Sequence, residues 1–342
     1  MNSLDPTPTL SASVSLTLSM VPTDANFDVQ HSSFFQRQSQ LPSPQTVRSQ
    51  ARAQHLAGIN WDKRKTFNLA GPNVYPPPVL FESIGLFVKW GSTVRIAEGQ
   101  SLYAVRHCLK SVVPVPEIYG WRTDGDEIFL YMEAINGRTL EQAWDKMGIN
   151  DRLSVCRELR AIFDNLRRLK QDPLDTFIGG IPSFYLATYS ARAKIACLGG
   201  IARDPLYDRA INPRYMSESG PFTSVKNFHD WFTFLHRRPM PDPHVVPLEP
   251  FRQCLPDDIE VVFTHGDLHR SNIILTLSSP PRVIAIVDWE QAGWLPAYWE
   301  DRKAHFTANY LGEWSEKYLP MILDQYIDTW EPWDYYTIAM GC

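Results

Sequence analysis

Three side chains carry the chemistry of this sequence. Asp267 follows the apolar run 261–263 and the tripeptide Thr264-His265-Gly266, Asn272 comes five residues later, and Asp288 closes a second apolar run, 283–287. The runs 273–277 and 283–287 flank Ser278-Ser279-Pro280-Pro281, so the spacing predicts a hairpin. A hairpin sets Asn272 at the base of one strand and Asp288 at the end of the other, with Asp267 on the loop leading in. That set suits phosphoryl transfer. One carboxylate orients a hydroxyl and accepts its proton. An amide oxygen and a second carboxylate hold Mg²⁺ on the phosphates, because Mg²⁺ prefers hard oxygen ligands. On this reading Asp267 is the base, and Asn272 and Asp288 are the metal ligands.

Each residue alone has a plainer explanation, since a lone Asp or Asn on a loop is usually a turn or cap residue. Three independent placements on one hairpin outweigh it. His265-x-Asp267-x-His269 has another possible chemistry, a transition-metal site in a hydrolase. That alternative needs further ligands and leaves Asn272 and Asp288-Trp289-Glu290 without a role. Trp289, Trp294 and Trp299 are expected in the core.

The string His265-Gly266-Asp267-Leu268-His269-x-x-Asn272, followed by Ile286-Val287-Asp288-Trp289-Glu290, resembles the aminoglycoside phosphotransferase and choline kinase-like family, a branch of the protein-kinase-like fold. The Asp-to-Asn spacing equals that of the protein-kinase loop H-R-D-x-x-x-x-N. Gly266 stands where protein kinases have Arg, and Trp289-Glu290 stand where they have Phe-Gly. Both changes point to the small-molecule branch. Lys89 is similar to the ATP-binding lysine and Glu98 to its ion-pair partner. The segment 131–140 resembles the hinge between lobes, where the resemblance implies that Glu133 C=O and Ile135 N–H bond the adenine. By the same resemblance His265 supports the loop by packing, and His269 either approaches the transferred phosphate or is an exposed loop residue. Gly293-Trp294-Leu295-Pro296 and Tyr298-Trp299-Glu300 also resemble the family, particularly its fungal members.

The resemblance spans roughly residues 80 to 310 and implies an α+β, bilobal, protein-kinase-like fold with a small β-rich N-lobe and a larger, mostly helical C-lobe. It implies ATP and Mg²⁺ as cofactors and a small-molecule hydroxyl as phosphate acceptor. Two departures stand out. No G-x-G-x-x-G precedes Lys89; the segment there is Gly71-Pro72-Asn73-Val74-Tyr75-Pro76-Pro77-Pro78. Lys89 and Glu98 are only nine residues apart. The first departure keeps open a pseudokinase, a nucleotide-binding protein without turnover, although Lys89, Asp267, Asn272 and Asp288 are all present. A protein kinase would show Ala-Pro-Glu downstream of Asp288, where this chain has Leu295-Pro296-Ala297-Tyr298-Trp299-Glu300.

The elements that must position these residues are legible in outline. Phe87–Trp90 reads as a strand ending at Gly91, and 97–110 as a helix with Leu102, Val105 and Leu109 on one face. Residues 113–119 are extended by their prolines, and 127–132 form a strand. Leu140, Ala143, Trp144 and Met147 share a helical face. A longer helix is expected over 151–170, capped by Asp151, and further helices over 225–235 and 298–330. Residues 171–225 are rich in turn formers. Residues 1–50, rich in Ser, Thr, Pro and Gln, are expected to be a mostly disordered extension, with room for one short docked segment. The N-lobe is then expected over 51–135 and the C-lobe over 136–342.

Bulk properties bound the function. The 342 residues are 44% hydrophobic and 21% charged, with a net charge of -5. That is enough chain to bury a core and has no basic face for nucleic acid. Five scattered cysteines, with no C-x-x-C, exclude a disulfide framework and a zinc knuckle. No early Arg or long apolar run suggests a leader or a membrane span, so the expected location is cytoplasmic. Nothing points to an obligate protein partner. Between 201 and 250, six acids balance six basic residues, so no acidic trap for a polycationic acceptor is evident.

Overall fold

The computed structural model describes residues 13–69, 71, 73–110, 112–172, 198–211, 213–245, 251–309 and 311–341. Residues 173–197 of the turn-rich stretch, among them Cys197, together with Glu249 and Cys342, lie outside the described residues.

The first elements are strand β1 (Val14–Leu16), strand β2 (Phe27–Asp28) and helix α1 (Pro44–Leu56). Then come β3 (Val79–Phe81), β4 (Leu86–Gly91), helix α2 (Ile96–Leu109), β5 (Ile118–Asp124) and β6 (Glu127–Glu133). Five of these strands form one antiparallel sheet in the order β2-β5-β6-β4-β3. This sheet is the N-lobe. Its two faces follow from the period of two along a strand. Leu86, Val88 and Trp90 of β4, with Phe129 and Tyr131 of β6, pack under Val47 and Ala51 of α1. Phe87, Leu130 and Met132 face the other way, with Leu102 and Val105 of α2. Lys89 therefore emerges on the α2 side.

Residues 13–50 differ from the disordered extension expected of them. β1 pairs in parallel with a distant strand, Val14 opposite Leu169. β2 adds an edge to the sheet, Phe27 opposite Trp121. Leu16, Val21, Val29, Phe34 and Leu41 are buried. The composition is that of a loop, but a handful of apolar residues at wide spacing suffices when each finds an existing hydrophobic surface. Ser43 caps α1 by accepting from Thr46 N–H at 3.2 Å, with Pro44 at the first position.

Beyond β6 the chain turns into the C-lobe through the short β7 (Arg138–Thr139) and helix α3 (Leu140–Trp144). Gly137 is required at this turn: a Cβ there would lie 2.5 Å from the Leu275 carbonyl. Thr139 and Gln142 close a capping box at the start of α3. Helix α4 (Ile149–Leu166) begins earlier than the sequence suggested. Gly148 takes the cap position and Asp151 sits within the first turn. It also ends earlier, because residues 169–171 leave the helix to form β8 (Leu169–Gln171) against β1.

The remaining elements are α5 (Val225–Phe234), α6 (Phe251–Cys254), β9 (Val261–Thr264), β10 (Ile273–Leu275), β11 (Val283–Ile286), β12 (Gly293–Pro296), α7 (Trp299–Phe306), α8 (Leu319–Ile322) and α9 (Trp330–Ala339). The helical region expected over 298–330 is broken between α7 and a π-helical turn at Trp314–Tyr318. β10 and β11 form the expected hairpin, Ile273 opposite Ile286. A continuous core runs from α2 and the sheet through Leu159, Phe263, Ile273 and Trp289. A second core gathers α5, α7 and α9 around Phe228, Trp299 and Trp333. Trp289, Trp294 and Trp299 are buried as expected. The protein is α+β and bilobal, with the kinase-like division into a β-rich N-lobe and a mostly helical C-lobe. No helix among the described residues is long and apolar enough to cross a membrane.

Candidate active site

The loop after β9 is built on backbone hydrogen bonds. Gly266 adopts φ 76°, and a Cβ there would meet the Gln291 carbonyl oxygen at 2.7 Å, so glycine is needed on two counts. Glu300, buried at the start of α7, accepts the N–H groups of His265 (2.7 Å) and Gly266 (3.2 Å). The His265 ring is fully buried. Its Nδ1 accepts from Asp267 N–H at 3.2 Å, so Nε2 carries the hydrogen and donates to Val287 O at 3.0 Å. The ring also meets Trp289 edge to face at 4.7 Å. His265 thus ties the loop to the end of β11.

Asp267 and Asn272 are brought together. Asn272 Nδ2 donates to the Asp267 carbonyl (2.9 Å) and to its Oδ2 (3.1 Å). Asn272 O accepts from Val287 N–H at 2.9 Å, so the hairpin register sets Asn272 beside the residue preceding Asp288. His269 is engaged locally. Its Nδ1 caps the following 3-10 turn by accepting from Ser271 N–H at 3.2 Å, and lies 2.8 Å from Ser271 Oγ. The ring nitrogens of the two histidines that interact here do so with backbone and Ser271. Among the described residues, His265, Asp267 and His269 do not form a group close enough to hold one metal ion, as the metal-hydrolase alternative requires.

Asp288, two residues beyond β11, adopts the left-handed region, at φ 67°, a conformation uncommon for a residue with a side chain. It aims at the N-lobe. Lys89 Nζ lies 2.6 Å from Asp288 Oδ1, 2.7 Å from Glu98 Oε2 and 3.2 Å from Glu290 Oε2. The nine-residue spacing works because α2 starts five residues after β4 ends, so its first turn lies against the strand end. Oxygens of Glu98, Asp288 and Glu290 all lie within 4.8 Å of one another.

One ammonium therefore serves three carboxylates. Burial alone would strip its proton, but Glu98, Asp288 and Glu290 outweigh that and hold Lys89 well above the usual lysine range. Burial also works against ionising Asp288, yet the charge and hydrogen bond of Lys89 keep its carboxyl well below the usual range. Glu98 is the poorly compensated member. Burial pushes it up to about 7 despite Lys89, and Asp288 and Glu290 add to the rise.

At the rear of the cleft, Ala134 N–H donates to Gly85 O at 3.1 Å, and Glu133 N–H to Glu117 O at 2.8 Å. Glu133 and Ile135 are half-buried at the link between the lobes.

Several contributors were not singled out from sequence. Glu290 was visible only as part of the Asp288-Trp289-Glu290 string. Arg209 had counted only as one of six balanced cations. Its guanidinium pairs with Glu290 and donates to Tyr75 Oη at 3.3 Å. Its position is fixed by Asp208 next to it, which accepts from Lys303 Nζ and Trp299 Nε1, both at 2.7 Å, with all three residues buried. Gln291 Oε1 takes Arg209 N–H at 2.9 Å and Lys303 Nζ at 2.8 Å. Glu300 was legible only through the resemblance of Tyr298-Trp299-Glu300. The partners of Arg209 lie 81 and 134 residues away, so no local pattern could have pointed to it.

The aminoglycoside phosphotransferase APH(4)-Ia is similar in structure at 14% identity and a TM-score of 0.44, over 86% of this chain and 89% of that one. APH(2")-IIa in a ternary complex with streptomycin and ATP matches at 11% identity and a TM-score of 0.42, over 83% and 87%. A Plasmodium vivax ethanolamine kinase matches at 14% identity and a TM-score of 0.39, over 77% and 72%. These likenesses are remote. No curated protein sequence matches. The model of the phosphotransferase enzyme family (APH) matches residues 97–336, most of the chain, including the loop and hairpin from His265 to Asp288. The chain belongs to the phosphotransferase enzyme family.

Proposed function

We propose that this phosphotransferase moves the terminal phosphate of ATP to a hydroxyl group of a small molecule, with Mg²⁺ as cofactor. The observation that carries the reading is the cluster at Lys89, where one ammonium meets Glu98, Asp288 and Glu290 within 3.2 Å, next to the Asp267–Asn272 pair. In this reading Lys89, held by Glu98, contacts the phosphates. Glu133 C=O and Ile135 N–H bond the adenine. Asp267 orients the acceptor hydroxyl and takes its proton. His265 keeps Asp267 in place through its backbone, and His269 supports the turn that presents Asn272.

The donor set fits Mg²⁺. Asp288 and Asn272 offer hard oxygens, and three carboxylates against one ammonium leave negative charge that a divalent cation offsets. When bound, Mg²⁺ neutralises charge on the phosphates and holds them in line for attack. Free thiols at Cys108 and Cys156 suit a reducing cytoplasm.

A sugar, an amino alcohol or a natural-product hydroxyl is the acceptor class to test. The decisive experiment is an ATP-consumption screen over such compounds with Mg²⁺, followed by mass spectrometry for a product heavier by one phosphate. Turnover with a phosphorylated product supports the reading. Failure to bind ATP with or without Mg²⁺ overturns it.

A further inference from the structure

Residues 59–69 and 73–78 belong to a strap fixed to the strand that carries Lys89. Thr93 N–H and Oγ1 both donate to Val74 O, at 3.3 and 2.8 Å. Trp90 Nε1 donates to Pro77 O at 3.1 Å. Asn68 N–H donates to Asn73 Oδ1 (2.8 Å), and Asn73 Nδ2 returns a bond to Asn68 O (3.2 Å). Gly91, at φ 122°, lets Pro76 approach so closely that a Cβ there would lie 2.6 Å from its ring.

Lys65 sits on this strap with a side chain only 10% exposed. Its backbone N–H donates to Asp62 O at 3.0 Å, which turns the chain there. Its ammonium lies 4.5 Å from the Tyr75 ring centre, and Asp62 Oδ2 is 3.9 Å away. Tyr75 in turn receives Arg209, the partner of Glu290. Lys65 is thus drawn into the charge cluster of the cleft. Its charge helps to hold Asp288 ionised. Burial, and then the neighbouring charge of Lys89, keep Lys65 itself below the usual lysine range.

A second buried ammonium that feels the charge of Lys89 and has its own carboxylate only at 3.9 Å is a costly arrangement. A polyanion relieves it. A glycine-rich loop binds phosphates through its backbone N–H groups, but Pro76-Pro77-Pro78 have none to offer. A lysine side chain supplies a full charge instead.

We propose that Lys65 is a second phosphate-binding cation, and that this strap does with a side chain what a glycine-rich loop does with its backbone. The inference rests on the nucleotide reading of the cleft. Its test is calorimetric titration of the full chain with Mg·ATP and, separately, with adenosine. Lys65→Met should weaken Mg·ATP binding about tenfold or more, as loss of a charge-assisted contact does, and leave adenosine binding unchanged. Lys65→Arg should recover most of the loss, and Lys63→Met, two residues away and exposed, should bind both ligands normally. Wild-type affinity for Mg·ATP in Lys65→Met overturns the proposal. Equal weakening toward ATP and adenosine overturns it too, because that marks a strap that merely holds shape. A wild-type chain that binds adenosine but gains nothing from the phosphates sinks this inference alone, whereas one that binds neither ligand sinks the nucleotide reading with it.

Discussion

Lys89 neutralises too much negative charge to be removed without consequence. Replacing it by Met leaves Glu98, Asp288 and Glu290 clustered within 4.8 Å with no ammonium among them. Breaking a buried ion pair by deleting one partner costs about 3–5 kcal/mol. Lys89→Met should therefore melt at a clearly lower temperature than the wild type, and Mg²⁺ should restore more stability to the variant than to the parent. Thermal unfolding with and without Mg²⁺ checks both; a variant indifferent to Mg²⁺ removes the case for a cation among these oxygens. Asp267 contributes in a different way. Its carboxylate is held by one Asn272 amide bond, at 3.1 Å, and its backbone does the structural work. Asp267→Ala should lower turnover by about 10²–10⁴-fold while the circular dichroism spectrum is unchanged. Near-normal activity would remove Asp267 from the role of base. At this scale the sequence was most legible where the functional residues are close together. Asp267, Asn272 and Asp288 fall within one short stretch whose apolar runs reveal a hairpin. Lys65 and Arg209 were illegible, because the contacts that give them meaning come from chain segments remote in sequence. Lys65 in particular stands in Asp62-Lys63-Arg64-Lys65, which reads as an ordinary solvated charge cluster.

The loop that carries Asp267 owes its shape to the helices behind it. Glu300 fixes two backbone N–H groups of the loop and belongs to α7, whose preceding residue Tyr298 is held in turn. His229 of α5 lies 2.9 Å from Tyr298 Oη through Nε2 and 2.9 Å from Asp257 Oδ1 through Nδ1, and it is completely buried. Arg252 pairs with Asp257 at 2.9 Å. Burial lowers the His229 pKa to about 4 from an ordinary 6.5, against the opposing pull of Asp257. The sign follows directly. Between these values the unfolded chain binds a proton that the folded chain refuses, so stability is lost as pH falls from 6.5 toward 4, by up to about 3 kcal/mol. Urea unfolding across that range should show the loss, and His229→Gln should flatten that part of the profile. An unchanged slope in the variant assigns the acid sensitivity to other groups. Helix α5 was well placed by its apolar spacing. The link from α5 through Tyr298 to the loop was not, since a buried histidine on an apolar helix face looks the same from sequence whether or not it has partners. The ends of α4 were misjudged for a related reason: residues 169–171 leave the helix for β1, a partner more than 150 positions earlier in the chain.

The molecule as a whole is held together by its first segment. β1 is paired with β8 beside the C-lobe strand β9, while β2 lies on the edge of the N-lobe sheet. Gln100 of α2 adds a bond to Pro22 O at 2.7 Å between them. A chain lacking residues 1–22 loses the buried side chains of Leu16 and Val21 and this bond. Burial of each aliphatic side chain is worth about 1.5–3 kcal/mol, so the truncated chain should melt several degrees lower. A melting temperature equal to the full chain's would show that the segment contributes nothing to stability. The bilobal α+β architecture was legible from the motifs and their family resemblance. The ordered part of the first 50 residues was not, because its few apolar side chains have no periodicity of their own and take their conformation from surfaces made elsewhere.

The pairing of β1 with β8 also bears on how the protein is made. Ribosomes release Val14 long before Leu169, its partner in the register. During that interval a short apolar strand with unsatisfied backbone groups waits in solvent while the N-lobe sheet assembles behind it. Closing so long a loop is an entropic cost paid late, and contacts of this kind slow folding. The newborn chain should thus pass through a stage with a formed N-lobe and a loose leading end, open to proteases and chaperones, which ends only when the strand after α4 leaves the exit tunnel.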